Sequence, residues 1–313
     1  MFTQTAVLGI IAATVLGAGS QVFAQGPTDE RFAEPHLPTP DLARLANGQP
    51  GPAYWQQRAD YSIRVTLDAA AGTITGSETI TYANNSPDTL VFLWIQLDQN
   101  LFAPGSGGAQ VFPPEGRFGG GGFEGGYDIR RVASGGKALD HTIRDTQMRV
   151  ELPAPLAPGE STPIEIDWTF AVPENGADRM GRDDDLYLLA QWYPRMAVYD
   201  DVRGWNTDPY LGQGEFYLEY GDYDYSVTAP AGYVIAGSGV LQNPDDVLTG
   251  EQRRRLARAS TSASVVQIIT ESEAAAAKRQ SIPGTKTWRF RARNVHDVAW
   301  AGGFSSPSHQ TSP

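Results

Sequence analysis

Residues equipped for chemistry are scarce in this sequence. Its 313 residues include no Cys and four His, at His36, His141, His296 and His309. No two histidines lie within five residues of each other, so no local histidine metal motif exists. Without Cys, disulfides, thiolate zinc sites, cysteine nucleophiles and Cys lipidation are all excluded. His296 adjoins Asp297, which suggests a base and its orienter, but neighbouring residues on a strand face opposite ways. A packed or exposed His at a strand end is the stronger reading. No G-x-S-x-G nucleophile elbow occurs.

Three further clusters carry some chemical suggestion. Gly120 to Gly125 (GGGFEG) fits G-x-G-x-x-G, yet no apolar strand precedes it and Tyr127-Asp128 resumes extended chain. A dinucleotide site needs a strand before and a helix after, so this reads as a Gly-rich loop. Asp178, Asp183, Asp184 and Asp185, with Asp200 and Asp201, offer oxygen ligands for calcium but lack the spaced pattern of a calcium loop. A solvated acidic loop is favoured. Carboxylate pairs for glycoside hydrolysis stay open on residue type alone, as in any acidic β-protein. Gly214 to Tyr225 (GEFYLEYGDYDY) sets tyrosines among carboxylates, either as a sugar- or peptide-contacting surface or as sheet packing.

The elements that must position these residues follow from composition and pattern. Hydrophobic residues make up 41% of the chain and charged residues 19%, a globular balance. The 24 basic and 36 acidic residues give a net charge of −12, which argues against nucleic acid as a partner. Ala6 to Ala18 is apolar and Ser20 to Ala24 supplies small residues, so residues 1–24 are expected to be a secretory signal cut after Ala24. The leading segment lacks the usual positive charge. The expected location is exported, periplasmic or extracellular, with no membrane span in the mature chain.

Residues 25–52, rich in Pro, Gly and polar residues, are expected to be a flexible lead-in. Ile63, Val65 and Leu67 then alternate with polar residues, which predicts a half-buried strand. Thr73 to Tyr82 returns as a Thr-rich strand, and Leu90 to Leu97 (LVFLWIQL) suits a central strand covered on both faces. Further strands are predicted at Gln147 to Leu152, Thr162 to Val172, Leu186 to Trp192, Tyr223 to Thr228, Val265 to Thr270 and Lys286 to Val295. Ile164, Ile166, Trp168, Phe170, Trp288 and Phe290 should point inward. Helices are predicted at Val247 to Ala259, after Pro244-Asp245-Asp246, and at Glu271 to Lys278 with Thr270 as N-cap. The expected fold is all-β, a saddle-like antiparallel β-sandwich with one or two short helices. Residues 53–300 form the β-domain in this scheme, and 301–313 a disordered polar tail.

Several segments together resemble the N-terminal domain of the aminopeptidase N family of zinc metallopeptidases. They are Tyr61 to Asp68 (YSIRVTLD), Ile74 to Asn85 (ITGSETITYANN), Leu188 to Pro194 (LLAQWYP), Asp222 to Pro230 (DYDYSVTAP) and Asn294 to Trp300 (NVHDVAW). The resemblance implies a saddle-shaped β-domain packed on a catalytic domain that removes N-terminal residues from peptides. It implies a catalytic metallopeptidase domain and a peptide substrate as partners. Zinc would belong to that catalytic domain, with no cofactor in this chain. The zinc motif H-E-x-x-H is absent here, as is the family's Gly-rich exopeptidase strand, so the chain reads as a truncated product or fragment, inactive alone. The resemblance also assigns a substrate contact to Gln191; the family's second position, a Glu or Gln, is Tyr193 here. A Gln bonding loop backbone is the competing reading. The rival function is an independent secreted β-sandwich module that binds glycans or peptides through the Tyr-rich segment.

Overall fold

Period-two alternation is converted almost residue for residue into the main sheet. In this computed structural model the described residues are 39–111, 122–174, 176–212, 217–280 and 282–304. The signal segment and the first part of the lead-in fall outside them, as do much of the Gly-rich run and residues 305–313. The chain opens with β1 (Arg58–Asp68), β2 (Thr73–Ala83), β3 (Leu90–Gln96), a 3-10 turn (Asp98–Phe102) and the short α1 (Gly107–Val111). It continues through β4 (Asp128–Ser134), β5 (Lys137–Ala138), β6 (His141–Arg144), β7 (Gln147–Leu156) and β8 (Ser161–Ala171). Next come β9 (Met180–Asp183), β10 (Leu186–Leu189), β11 (Arg195–Met196), β12 (Tyr199–Asp200), β13 (Gly204–Trp205), β14 (Gly221–Pro230), β15 (Val234–Gly237) and β16 (Val240–Leu241). Three helices follow, α2 (Pro244–Val247), α3 (Gly250–Ala259) and α4 (Glu271–Gln280), then β17 (Thr285–Val295) and β18 (Trp300–Gly303).

The largest sheet has eight strands in the order β16-β17-β14-β1-β2-β8-β4-β5. Its one parallel pairing joins β1 to β14, strands far apart in sequence. Two four-stranded sheets run β15-β18-β10-β9 and β11-β3-β7-β6. The protein is thus all-β and sandwich-like with few short helices, as the alternation implies. Ile63, Val65 and Leu67 of β1, Ile164, Ile166, Trp168 and Phe170 of β8, and Trp288 and Phe290 of β17 are all buried.

Elsewhere the structure departs from pattern. Val265 to Thr270 is no strand: it runs irregularly between α3 and α4. Ile268 and Ile269 are buried consecutively, which period two forbids, and the Ile268 carbonyl accepts from Arg255 rather than from a neighbouring strand. The helix expected over Val247 to Ala259 is broken by extended Leu248, and α3 starts at a capping box in which Thr249 and Gln252 bond reciprocally. Thr270 does cap α4, its hydroxyl accepting from the Glu273 backbone at 3.3 Å. β3 sits between β11 and β7 in its sheet, but Val91 is exposed, because a register shift between Leu90 and Phe92 breaks the alternation there. Ala301 to Gly303 belong to β18 rather than a tail; Gly302 fits because a Cβ there would meet Ile235 at 2.4 Å. Within the expected lead-in, residues 39–52 form a hydrogen-bonded loop pinned by the Arg44–Asp201 ion pair.

Two features of the core have measurable consequences. The first is Gly76, whose added Cβ would lie 2.5 Å from the Trp168 ring. Gly76→Ala should therefore destabilise by about 1–3 kcal/mol in a urea titration. The second is acidic. Glu78 projects inward from β2, and among the described residues neither of its oxygens has a hydrogen-bond partner. Burial pushes its pKa well above the usual carboxylate range, and burial likewise raises Glu219 to about 8. Both carboxyls bind more protons folded than unfolded. Their contribution to stability should then be fully present below about pH 4.5 and be lost as pH rises through the folded values. Chemical denaturation between pH 5 and pH 8 should show that decline in the wild type, and Glu78→Gln with Glu219→Gln should flatten it.

Candidate functional site

The segment after β10 reaches a point where the backbone leaves its strand. Gln191 is held at φ +53°, a left-handed conformation that costs a non-glycine residue energy unless its surroundings impose it. Those surroundings are specific. The Gln191 carbonyl accepts from Gln99 Nε2 (2.8 Å) and from the Tyr127 hydroxyl (3.2 Å). Trp192 Nε1 donates to the Val298 carbonyl (2.8 Å), and the Tyr193 hydroxyl donates to Asp297 Oδ1 (2.7 Å).

Beneath the segment lies a buried charge triad. Arg195 Nε donates to Asp98 Oδ2 at 2.9 Å, and its Nη1 to Asp297 Oδ2 at 3.2 Å. Nη2 approaches the same Asp98 oxygen at 2.8 Å, out of line for a second hydrogen bond, so that contact is an ion pair only. The Arg195 and Asp98 side chains are each 1% exposed. Burial by itself would lower the Arg195 pKa, but the charges of Asp98 and Asp297 carry it above its ordinary value. The guanidinium is permanently charged.

The Gln191 side chain contrasts with this satisfied core. It is buried, and among the described residues neither Oε1 nor Nε2 has a hydrogen-bond partner. The Tyr210 hydroxyl lies beside it but donates to Asp178 at 2.6 Å, and no well-aligned bond to the amide forms. Gln99 Oε1 and Asp98 Oδ1 are also unpartnered. Leaving a buried polar group unpaired costs about 1–3 kcal/mol, so a cluster of such groups marks a place where something besides packing was selected.

Of the two residues assigned to substrate from sequence, Gln191 is buried with its amide beside the Tyr210 hydroxyl. Tyr193 is fully buried, its ring edge-on to Tyr61 and Tyr223 and its hydroxyl committed to Asp297. His296 and Asp297 part company as strand neighbours do: Asp297 turns to Arg195, while the His296 ring meets Tyr220 at 5.6 Å. The acidic residues have separate partners: Asp184 and Asp185 pair with Lys278, Asp201 with Arg44, and Asp200 with Tyr217 and Asn206. The Tyr-rich segment divides, with Tyr223 and Tyr225 in the core and Tyr217 and Tyr220 exposed.

Zinc does not fit the donors at hand. Among the described residues no three His, Asp or Glu side chains converge as a metal cage, and His141 is exposed on β6 with Nδ1 against the Leu139 carbonyl. No described helix is long and apolar enough to cross a membrane.

Sequence reading missed Asp98, Gln99 and Arg195. A usable signal existed for the first two: the polar run Asp98-Gln99-Asn100 directly follows the apolar strand at Leu90 to Leu97, and all three are buried.

No family model matches the chain, and no curated protein matches it. Among solved structures, the chain is similar to the M1 zinc metallopeptidase from Deinococcus radiodurans, at 12% identity and a TM-score of 0.44, covering 81% of this chain and 44% of that one. A mutant form of that enzyme gives 13% identity, a TM-score of 0.44, and coverage of 82% and 44%. The mutant with a bound Tyr-Ser-Ala substrate gives 13%, 0.44, 79% and 42%. The chain therefore spans less than half the length of these neighbours.

The triad yields a direct prediction. Arg195→Met leaves Asp98 and Asp297 buried without their cation, and should cost about 3–5 kcal/mol of folding free energy in a urea titration.

Proposed function

We propose that this chain is the non-catalytic N-terminal β-domain of an exported zinc metallopeptidase of the aminopeptidase class. It would pack on a catalytic domain encoded elsewhere in the full-length protein and shape the end of the peptide-binding site. The observation that carries this reading is Gln191. A buried residue held in a left-handed conformation by four neighbours, with its own amide unpartnered, is built to present that amide. A substrate α-amine, or a group of the catalytic domain, would complete its hydrogen bonds. Tyr193 has a positioning part, since its bond to Asp297 locks the backbone two residues from Gln191.

The quoted segments of the family resemblance also meet at this place. Tyr61, Tyr193 and Tyr223 pack together, and the Tyr223 hydroxyl donates to the His296 carbonyl at 3.1 Å. Residues distant in sequence thus build one node beside Gln191, which is what a shared architectural role requires. Zinc chemistry would be supplied by the catalytic domain, and no step of it is assigned to residues of this chain.

The test has two arms. The purified chain should hold no stoichiometric zinc and leave aminoacyl reporter substrates intact; chelator-sensitive turnover by the chain alone would overturn the proposal. In the full-length protein, Gln191→Ala should raise KM for aminoacyl substrates about tenfold, the loss of one hydrogen bond to a charged group. An unchanged KM would remove Gln191 from the site.

A further inference from the structure

The outer face of the eight-stranded sheet is polar in an ordered way. The register across five strands places Thr287, Thr228, Thr66, Thr75 and Thr169 in one row. Thr228 and Thr287 bond through their hydroxyls at 2.8 Å, and Thr75 and Thr169 at 3.2 Å, while the Thr66 hydroxyl between them has no partner among the described residues. The adjoining row reads Arg289, Ser226, Arg64, Ser77 and Asp167. Together these rows line an open trough of about 560 Å³.

Arg64 and Arg289 are its distinguishing feature. Both are exposed, and among the described residues neither guanidinium has a hydrogen-bond or ion-pair partner. The next arginines along β17 are paired, Arg291 with Asp224 (2.7 Å) and Arg293 with Asp222 (2.6 Å). Arg130, at the far rim, contacts Asp128 at 3.4 Å, and the one carboxylate lining the trough, Asp167, lies at that same far side beside Arg131. Within the trough, the free positive charge therefore lies over β1 and β17. Strands lie about 4.8 Å apart, so the Arg64 and Arg289 backbones, separated by β14, stand roughly 10 Å apart.

We propose that this trough binds an acidic oligosaccharide, a chain of hydroxyl-bearing rings carrying carboxylate or sulfate groups. Two guanidiniums take two anionic groups in charge-assisted hydrogen bonds. The threonine and serine rows between and beside them exchange hydrogen bonds with sugar hydroxyls, as both donors and acceptors. A peptide is disfavoured on two grounds. β1, β2 and β14 are each paired on both sides, so no free edge exists for strand addition. The large apolar residues under the trough, Val65 and Trp168, are buried and give no pocket for a peptide side chain. The trough is independent of Gln191 and of the domain reading above.

Isothermal titration of the intact chain tests it, with an oligogalacturonate hexamer for the carboxylate source, a heparin hexasaccharide for the sulfate source, and maltohexaose and hexaglutamate as controls. One or both anionic oligosaccharides should bind, more weakly as salt is raised, with maltohexaose and hexaglutamate well below them. Arg64→Gln and Arg289→Gln should each weaken binding about tenfold, while Arg258→Gln, remote from the trough, should not. Both substitutions are at exposed positions, and unchanged thermal midpoints will show the fold intact. Failure of both oligosaccharides to bind at millimolar concentration, equal binding of hexaglutamate or maltohexaose, or affinity indifferent to both substitutions each overturns the proposal.

Discussion

Arg195 stands between two carboxylates that lie far apart in the sequence, Asp98 after β3 and Asp297 after β17. In a dry interior that arrangement admits few alternatives. Withdrawing the cation would strand two charges, and withdrawing either carboxylate would leave the cation short of acceptors. Satisfying it therefore fixes the short β11 against β3, and fixes the turn beyond β17 against both. Tyr193 hangs on the same Asp297, Trp192 on the Val298 carbonyl, and the unusual backbone of Gln191 follows from those anchors. The local strain at Gln191 is tolerated because the network around it is over-determined.

The main sheet has two faces with different chemistry. Inward, tyrosines and tryptophans of β1, β14, β8 and β17 interlock, including the parallel stack of Tyr61 on Tyr223 at 4.6 Å. The tyrosine hydroxyls find partners at the core's margin, as Tyr225 does at the Ser238 carbonyl, whereas among the described residues the indole N–H groups of Trp168 and Trp288 have none. Outward, the same strands carry hydroxyls, arginines and carboxylates in rows set by register. Strand periodicity thus lets one set of strands pack a core on one side and carry an ordered polar surface on the other.

Much of this was legible because its signal is local. Ile164, Ile166, Trp168 and Phe170 alternate with polar residues, and no other conformation hides all four on one side. Thr270 with Glu273 announces α4 through a capping geometry three residues long. Where local signal misled, a missing neighbour explains it. Val265 to Thr270 has strand-like content, but no described strand pairs with it; Val266, Ile268 and Ile269 are buried, Val265 is exposed, and the Ile268 carbonyl accepts from Arg255 of α3 instead. Gly302 looks like tail composition, yet absence of a side chain is what β18 needs beside Ile235.

What the sequence determined by itself was the all-β class, the strands of the main sheet and which side of each strand turns inward, because alternation and capping are read within a few residues. Tertiary structure decided the rest. The Arg195 triad joins positions 97 and 102 residues apart, and the trough gathers side chains from six strands whose order and register no local pattern encodes. Whether an arginine is free or paired depends on what the fold brings opposite it. Arg64 and Arg291 look alike in sequence, and only the register of β14 gives one of them a serine as neighbour and the other an aspartate.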